Sequence, residues 1–298
     1  MKIDWTKGRL RDALMLKAGQ EECVIELGRT GGGISIPALS QTGDRYVVGD
    51  VEVLEEHSAA MMLRCFEEGA KKEKLCLRFG LLPRFSTRIC LDLELLDNST
   101  IYTNRTPGML KLVCHGQRME RGEVSCFELG IEKVFHRVKV RLSHFYTTDQ
   151  MPDEFPIPDK KVVDEFGQWK EKQWPGKIHS LEELRERLIV QEGKAEYPFS
   201  FWNRWGADRN RKLKEGTGFF STIKTPDGRW HLTDPEGYDY FSVGPCGTRP
   251  GDGCRIDGFE SVCDWLPDEN DPAWREFYTQ GVRRRTAYME PESFKLLN

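Results

Sequence analysis

Between Glu22 and Tyr146 apolar and polar residues alternate with a period of two, in short runs broken by turn formers. The runs are ECVIEL, RYVVGDVEVLE, AMMLRCFE, KLCLRFG, STRICLDLELL, MLKLVCH, VSCFELG and HRVKVRLSHFY, and among them stand TGGG, QTGD, DNST and TPG. Successive side chains of a strand point to opposite faces. In RVKVRLSHF this puts Val138, Val140, Leu142 and His144 on one face, and Lys139, Arg141 and Ser143 on the other. That is the pattern of a half-buried antiparallel strand. About eight such strands, regularly spaced, predict a mainly β fold that begins as a jelly-roll-type β-sandwich over residues 1–150.

The period then changes. MPDEFPIPDKKVVDEFGQWKEKQWPGK has prolines at 152, 156, 158 and 175 and reads as the start of an extended connector, residues 151–214. Within it, SLEELRERLIVQEG predicts a helix over about 180–192. Ser180 and Glu183 form a capping box, Leu181, Leu184, Leu188 and Ile189 line one face, and Gly193 terminates it. Beyond Tyr197 aromatic residues crowd into YPFSFWNRWG and GFFSTI, and every tryptophan except Trp5 lies beyond residue 168.

In WHLTDPEGYDYFSVG (230–244), Asp234, Pro235 and Gly237 suit the first, second and fourth positions of a type I turn, which makes both flanks strands. The second arm ends in PCGTRPGDGCR, too rich in Gly and Pro for a helix. An apolar strand leading into such a loop is how a parallel (β/α)8 barrel begins, so residues 215–298 read as the first part of a barrel. The local pattern equally allows a free-standing hairpin packed on the sandwich.

Composition narrows the function classes. The chain has 298 residues, 38 % of them hydrophobic, and a net charge of −4 with both signs interspersed, which argues against a nucleic-acid partner. No apolar run approaches the roughly 20 residues of a membrane span. The start, MKIDWTKGRLRDALMLKAG, lacks the apolar core of a secretory signal, which predicts a cytoplasmic chain. Nine cysteines stand at 23, 65, 76, 90, 114, 126, 246, 254 and 263 without a CxxC pair or a zinc-site spacing. They read as structural thiols of a reducing compartment, where the sequons at Asn98 and Asn104 go unused. No metal and no cofactor is expected. RTGGGIS (29–35) lacks the Lys-Ser/Thr of a phosphate loop and reads as a turn; KKEK at 71 and RRR at 283 read as solvated faces. GxSxG and HExxH are absent from the sequence, and its six histidines are scattered.

Three stretches resemble the agarase-like β-glycoside hydrolases: DEFGQWKEKQWPGKIHSLEEL (164–184), GTGFFSTIKTPDGRWHLTDPEGYDYFSVGPCGTRPG (216–251) and WLPDENDP (265–272). They are similar, in order and spacing, to that family's connector, its entry into the barrel and a segment following the first barrel strand. The resemblance implies a sandwich followed by a (β/α)8 barrel that cleaves a β-linked polysaccharide with retention. Such chemistry needs two carboxyl groups about 5–5.5 Å apart, one a proton donor and one a nucleophile. In the family both are glutamates near the ends of the fourth and seventh barrel strands. A barrel takes about 250 residues, and Gly216 to Asn298 supplies about a third of that. No catalytic residue is therefore expected in this chain, and Glu236, Asp239, Asp264 and Glu276 are not replacements. Asp239 reads as a solvent-facing or hydrogen-bonded strand residue.

Cys246, Thr248, Arg249 and Asp252 follow the expected first barrel strand, where such barrels place their clefts, and are candidates for lining a substrate surface. Arg249 either donates to sugar hydroxyls or pins its own loop. Trp265, with Trp202 and Trp205, either stacks on sugar faces or packs in a core, the commoner use of such residues. The expected partner is a polysaccharide or oligosaccharide, with the oligomeric state left open. Two other readings stand beside this one: a non-catalytic carbohydrate-binding or structural β-sandwich protein, and a barrel completed by a separate chain.

Overall fold

The computed structural model describes residues 2–37, 43–96, 106–194, 199–244, 254–283 and 292–297. The chain divides into two compact units, Met1–Gln173 with Gly253–Asn298, and Trp174–Asp252.

The first unit is built on the predicted sandwich. One sheet is six-stranded, in the order β1 (Arg9–Arg11), β4 (Gly33–Pro37), β10 (Cys126–Ile131), β6 (Ala59–Phe66), β7 (Leu75–Leu81), β9 (Met109–Gly116). The other is five-stranded, in the order β2 (Ala13–Lys17), β3 (Glu22–Leu27), β11 (Val138–Thr148), β5 (Tyr46–Val53), β8 (Ser86–Asp92). Every pairing within these sheets is antiparallel. The alternation in sequence becomes a division of faces: Cys23, Ile25 and Leu27 of β3 are fully buried while Glu22, Val24 and Glu26 are half-buried. Between the sheets lies one continuous core that includes Ile25, Leu27, Ile34, Val51, Met61, Leu77, Leu129, Val140 and Leu142. Cys23 and Cys65 are part of it, and burial pushes both thiols up, that of Cys23 to about 12. These cysteines serve as small buried hydrophobes, as their place in apolar runs suggests.

One strand departs from strict alternation. Val138, Val140 and Leu142 point inward as expected, but the register of β11 against β5 shifts between Ser143 and Tyr146. His144 takes a left-handed backbone with φ 53° and turns outward, and Phe145 fills the inward place instead. The bulge corrects the expected position of His144, because an extra residue reverses the facing of everything after it. Phe145 then meets Trp5 edge-on at 4.8 Å between ring centroids. Its ring lies on Gly49, where a Cβ would collide with the ring carbons. Gly49→Ala is accordingly expected to destabilise the sandwich by about 1–3 kcal/mol through overpacking, read as a lowered urea midpoint with an unchanged slope.

In the second unit, α1 (Leu181–Gly193) starts where the sequence places it. Ser180 Oγ accepts from the Glu183 N–H at 3.1 Å, and the Glu183 carboxylate accepts from the His179 N–H at 2.9 Å, one residue ahead of the usual capping-box position. Of the expected apolar face, Leu181, Leu188 and Ile189 are exposed and Leu184 is half-buried. A four-stranded antiparallel sheet follows, in the order β12 (Asp208–Lys212), β15 (Tyr238–Tyr240), β14 (Trp230–Thr233), β13 (Ser221–Lys224). The predicted DPEG turn joins β14 to β15, closed by the Gly237 N–H donating to the Asp234 carbonyl at 3.0 Å. The expected first barrel strand is thus β15, an antiparallel member of this sheet. Its pairing ends at Tyr240, and Phe241 is 81 % exposed. Among the described residues no two named strands pair in parallel.

The chain then rejoins the first unit. β16 (Cys254–Arg255), β18 (Glu292–Leu297) and β17 (Tyr278–Arg283) form a three-stranded sheet in that order. Val262, Val162 and Phe85 make a small second core, with Phe259 packed on Phe85 at 5.4 Å. Val162 and Val163 both donate to the Val262 carbonyl, and Lys170 pairs with Asp264 at 2.5 Å, so the connector and this segment hold each other.

Candidate functional site

Antiparallel partners share a face, so the register places Arg64, Glu128, Ser35 and Cys76 together on the outer side of the six-stranded sheet. Two adjoining clefts run there, of about 590 and 480 Å3, with Glu67 and Glu73 common to both. Both volumes fall in the range of ligand clefts, roughly 300–1,000 Å3. The first is lined by Arg11, Arg64, Lys71, Ser125, Glu128 and Lys133 among others, and the second by Lys72, His115 and Gln117 among others. Together they form a polar groove across the strands.

A buried ion triad underlies the first cleft. The side chains of Arg64 and Glu128 are only 7 % and 3 % exposed and meet at 2.7 Å. Arg64 also donates to the Ile131 carbonyl at 2.7 Å. Arg11, half-exposed, closes on Glu128 from the rim with Nε to Oε2 at 2.9 Å and Nη2 to Oε1 at 2.6 Å. The bidentate geometry fixes the Arg11 guanidinium at the groove edge. Space for these long side chains comes from glycine: a Cβ on Gly33 would come within 2.8 Å of Glu128, and one on Gly130 within 2.7 Å of Arg64. Gly33 closes the RTGGG stretch, whose residues otherwise form a turn ahead of β4. There the Thr30 N–H and hydroxyl donate to Asp12 and hold its carboxyl below the usual range.

The polar lining of the groove can donate and accept hydrogen bonds. Three of its acids are committed to neighbouring cations: Glu128 to Arg64 and Arg11, Glu132 to Arg78, and Glu67 to Lys74 at 2.6 Å. Among the described residues, the carboxyl groups that depart from their usual range, Asp4, Asp12, Glu21, Glu22, Glu123 and Asp227, are all held below it, chiefly by hydrogen bonds donated to the carboxylate. A glycosidic proton donor needs the opposite shift. Burial pushes the Cys76 thiol up to about 11 and the Cys126 thiol up as well, so neither is an activated nucleophile. Among the described residues no group of three or more His, Cys, Asp or Glu is placed to hold a metal ion.

The residues singled out from sequence are not gathered in this groove. Cys246, Thr248, Arg249 and Asp252 lie outside the described residues. Trp265 is exposed and sits edge-on to Trp274 at 5.6 Å. In the second unit Trp202 meets Phe199 edge-on at 4.9 Å, and Trp205 meets Phe220 at 5.8 Å beneath the Arg204 guanidinium. Trp205 and Trp265 are thus surface aromatics rather than core residues. Asp239 is hydrogen-bonded, as expected, to His231 at 3.0 Å and ion-paired with Arg211 at 3.0 Å. Arg64 and Glu128 escaped sequence reasoning, although each is a charge inside an otherwise apolar run.

No protein-family model matches the chain. Among solved structures, it is similar to an agarase, AgWH50C (TM-score 0.44, 20 % identity, 98 % of this chain and 45 % of that one), and to an exo-β-agarase (TM-score 0.40, 20 % identity, 98 % and 47 %). A family 11 carbohydrate-binding module from Clostridium thermocellum, in complex with a mixed-linked tetrasaccharide, covers 48 % of this chain and 84 % of its own at TM-score 0.30 and 7 % identity. The chain spans less than half the length of these agarases. In sequence, β-agarase B of Vibrio sp. (strain JT0107) is 29 % identical over 130 residues, 37 % of this chain and 14 % of that protein. With the three stretches described above, this relation makes the chain similar to the agarase-like glycoside hydrolases.

Proposed function

We propose that this chain is a glycan-holding section of an agarase-type β-glycoside hydrolase, with the groove on the six-stranded sheet as the surface that receives an agarose-type polysaccharide. The observation that carries this reading is the lining of the groove. A sugar hydroxyl both donates and accepts, and the groove sets Arg11, Lys71 and Lys133 as donors beside the carboxylates of Glu67 and Glu73. Glu67, Glu128 and Glu132 are engaged by cations, which suits binding and not proton transfer. Cleavage with retention would fall to two glutamates of a barrel, with the sandwich holding the polymer.

Affinity electrophoresis of the 298-residue chain through gels containing agarose tests the binding half of this reading. Retardation relative to an inert polymer is expected, reduced several-fold in a Lys71→Ala/Lys133→Ala variant, whose exposed lysines leave the fold intact. Equal mobility with and without agarose would overturn it.

A further inference from the structure

The bulge in β11 does more than admit Phe145 to the core. It swings His144 out of the opposite sheet, into a pocket of about 270 Å3 lined by Lys2, Ile3, Glu21, Arg88, Phe145 and Tyr146 besides His144 itself. Bulges recur where a strand must re-aim one side chain, and non-glycine residues with positive φ gather at functional positions.

The imidazole is held. His144 Nδ1 lies 3.2 Å from Oδ2 of Asp50, which is 2 % exposed, while the ring as a whole faces solvent. A carboxylate opposite Nδ1 selects the tautomer with its proton on Nδ1, leaving Nε2 as a lone-pair acceptor. Asp50 does not need this partner. Arg88 already binds it through two hydrogen bonds at 2.7 and 2.9 Å, and is itself tied by Nη1 to the Glu154 carbonyl at 2.7 Å. Nor does the bulge need histidine, since Gly or Asn adopts φ 53° with less strain. A residue that suits neither the backbone nor the neighbouring charge better than a simpler one is placed for what its free nitrogen reaches.

We propose that this pocket is a second glycan subsite, sized for one sugar ring, on the face of the sandwich opposite the groove; this rests on the polysaccharide reading above. Half-buried Tyr146 gives an apolar wall for the C–H face of a ring, with the core residues Ile3 and Phe145 also lining the pocket. Around it stand three hydroxyl partners of different character: His144 Nε2 as acceptor, the Glu21 carboxylate as acceptor, and the Lys2 ammonium as donor, the last two joined at 2.5 Å. A few polar groups beside an apolar wall are the usual makeup of a small-ligand site.

NMR titration of the full chain with an agarose tetrasaccharide tests the assignment. The His144 ring and the Tyr146 amide are expected to shift saturably. His144→Asn is expected to bind at this face about tenfold more weakly, as one hydrogen bond is lost, while its unfolding midpoint stays equal to or above that of the native chain. Shifts confined to groove residues such as Ser35 and Cys126 would overturn the subsite and leave the polysaccharide reading standing. No shift on either face would overturn both. A midpoint of His144→Asn several degrees below native would show that the ring serves the fold and would overturn the subsite too.

Discussion

Glu128→Ala is expected to lower the stability of the first unit by about 3–5 kcal/mol, the range for removing one partner of a buried ion pair. Glu128 lies between two guanidinium groups, and Arg64 is almost fully enclosed, with Glu128 as its carboxylate partner at 2.7 Å. Without Glu128 a buried positive charge has only the Ile131 carbonyl and the Met62 sulfur beside it. Small domains are stable by about 5–15 kcal/mol in all, so such a loss leaves the sandwich marginal. Arg11→Ala should cost far less, about 1 kcal/mol at most, because that guanidinium is half-exposed and screened by water. Replacing both buried partners, Arg64→Met with Glu128→Leu, should recover most of the stability, since the cost is an unpaired charge and not the missing pair itself. Urea unfolding followed by far-UV circular dichroism separates these cases, and near-equal losses for Glu128→Ala and Arg11→Ala would contradict the triad's assigned role.

Asp234→Ala is expected to loosen the second unit by about 3 kcal/mol. Asp234 is fully buried, and its carboxylate accepts from the Glu236 and Tyr238 N–H groups, both at 2.9 Å, and from the Asn203 side-chain amide at 2.5 Å. Asn203 in turn accepts from the Trp205 and Ala207 N–H groups at 2.9 and 3.0 Å. The buried Asn203–Asp234 hydrogen bond therefore ties the loop ahead of β12 to the turn between β14 and β15, beside the exposed contacts of Arg204 and Trp205 with Glu236. Each donor left unpaired inside a protein costs about 1–3 kcal/mol, and three are left here. Because the chain has two units, whole-chain unfolding would blur the effect. Hydrogen exchange resolves it: faster exchange is expected at Tyr238 and at Ala207, with the strands of the sandwich unchanged.

Much of this fold could be read in the chain. The period-two runs became strands, Ser180 became the cap of α1, and DPEG became a turn between two strands, because each of these depends on neighbours a few residues away. What escaped depends on distant ones. Arg64 and Glu128 sit 64 positions apart and meet only through the register of β6 with β10. His144 was expected inward because alternation reveals no bulge, and the bulge exists because Phe145 finds Gly49 on the adjacent strand. The aromatic residues Trp205 and Trp265 were weighed toward a core by their type, yet type alone does not say which face of a small sheet is covered. The likeness to agarases was legible through whole stretches of sequence, whereas the groove was not, because its lining comes from all six strands of the sheet and the loops between them.

Incubating the 298-residue chain with agarose, while following bound protein and newly formed reducing ends in one experiment, tests most directly that this chain holds glycan without cutting it. Saturable binding with no reducing ends above those of a protein-free control is the predicted result. Reducing ends that accumulate with time and with protein concentration would contradict it, and would place a catalytic carboxyl pair within these residues.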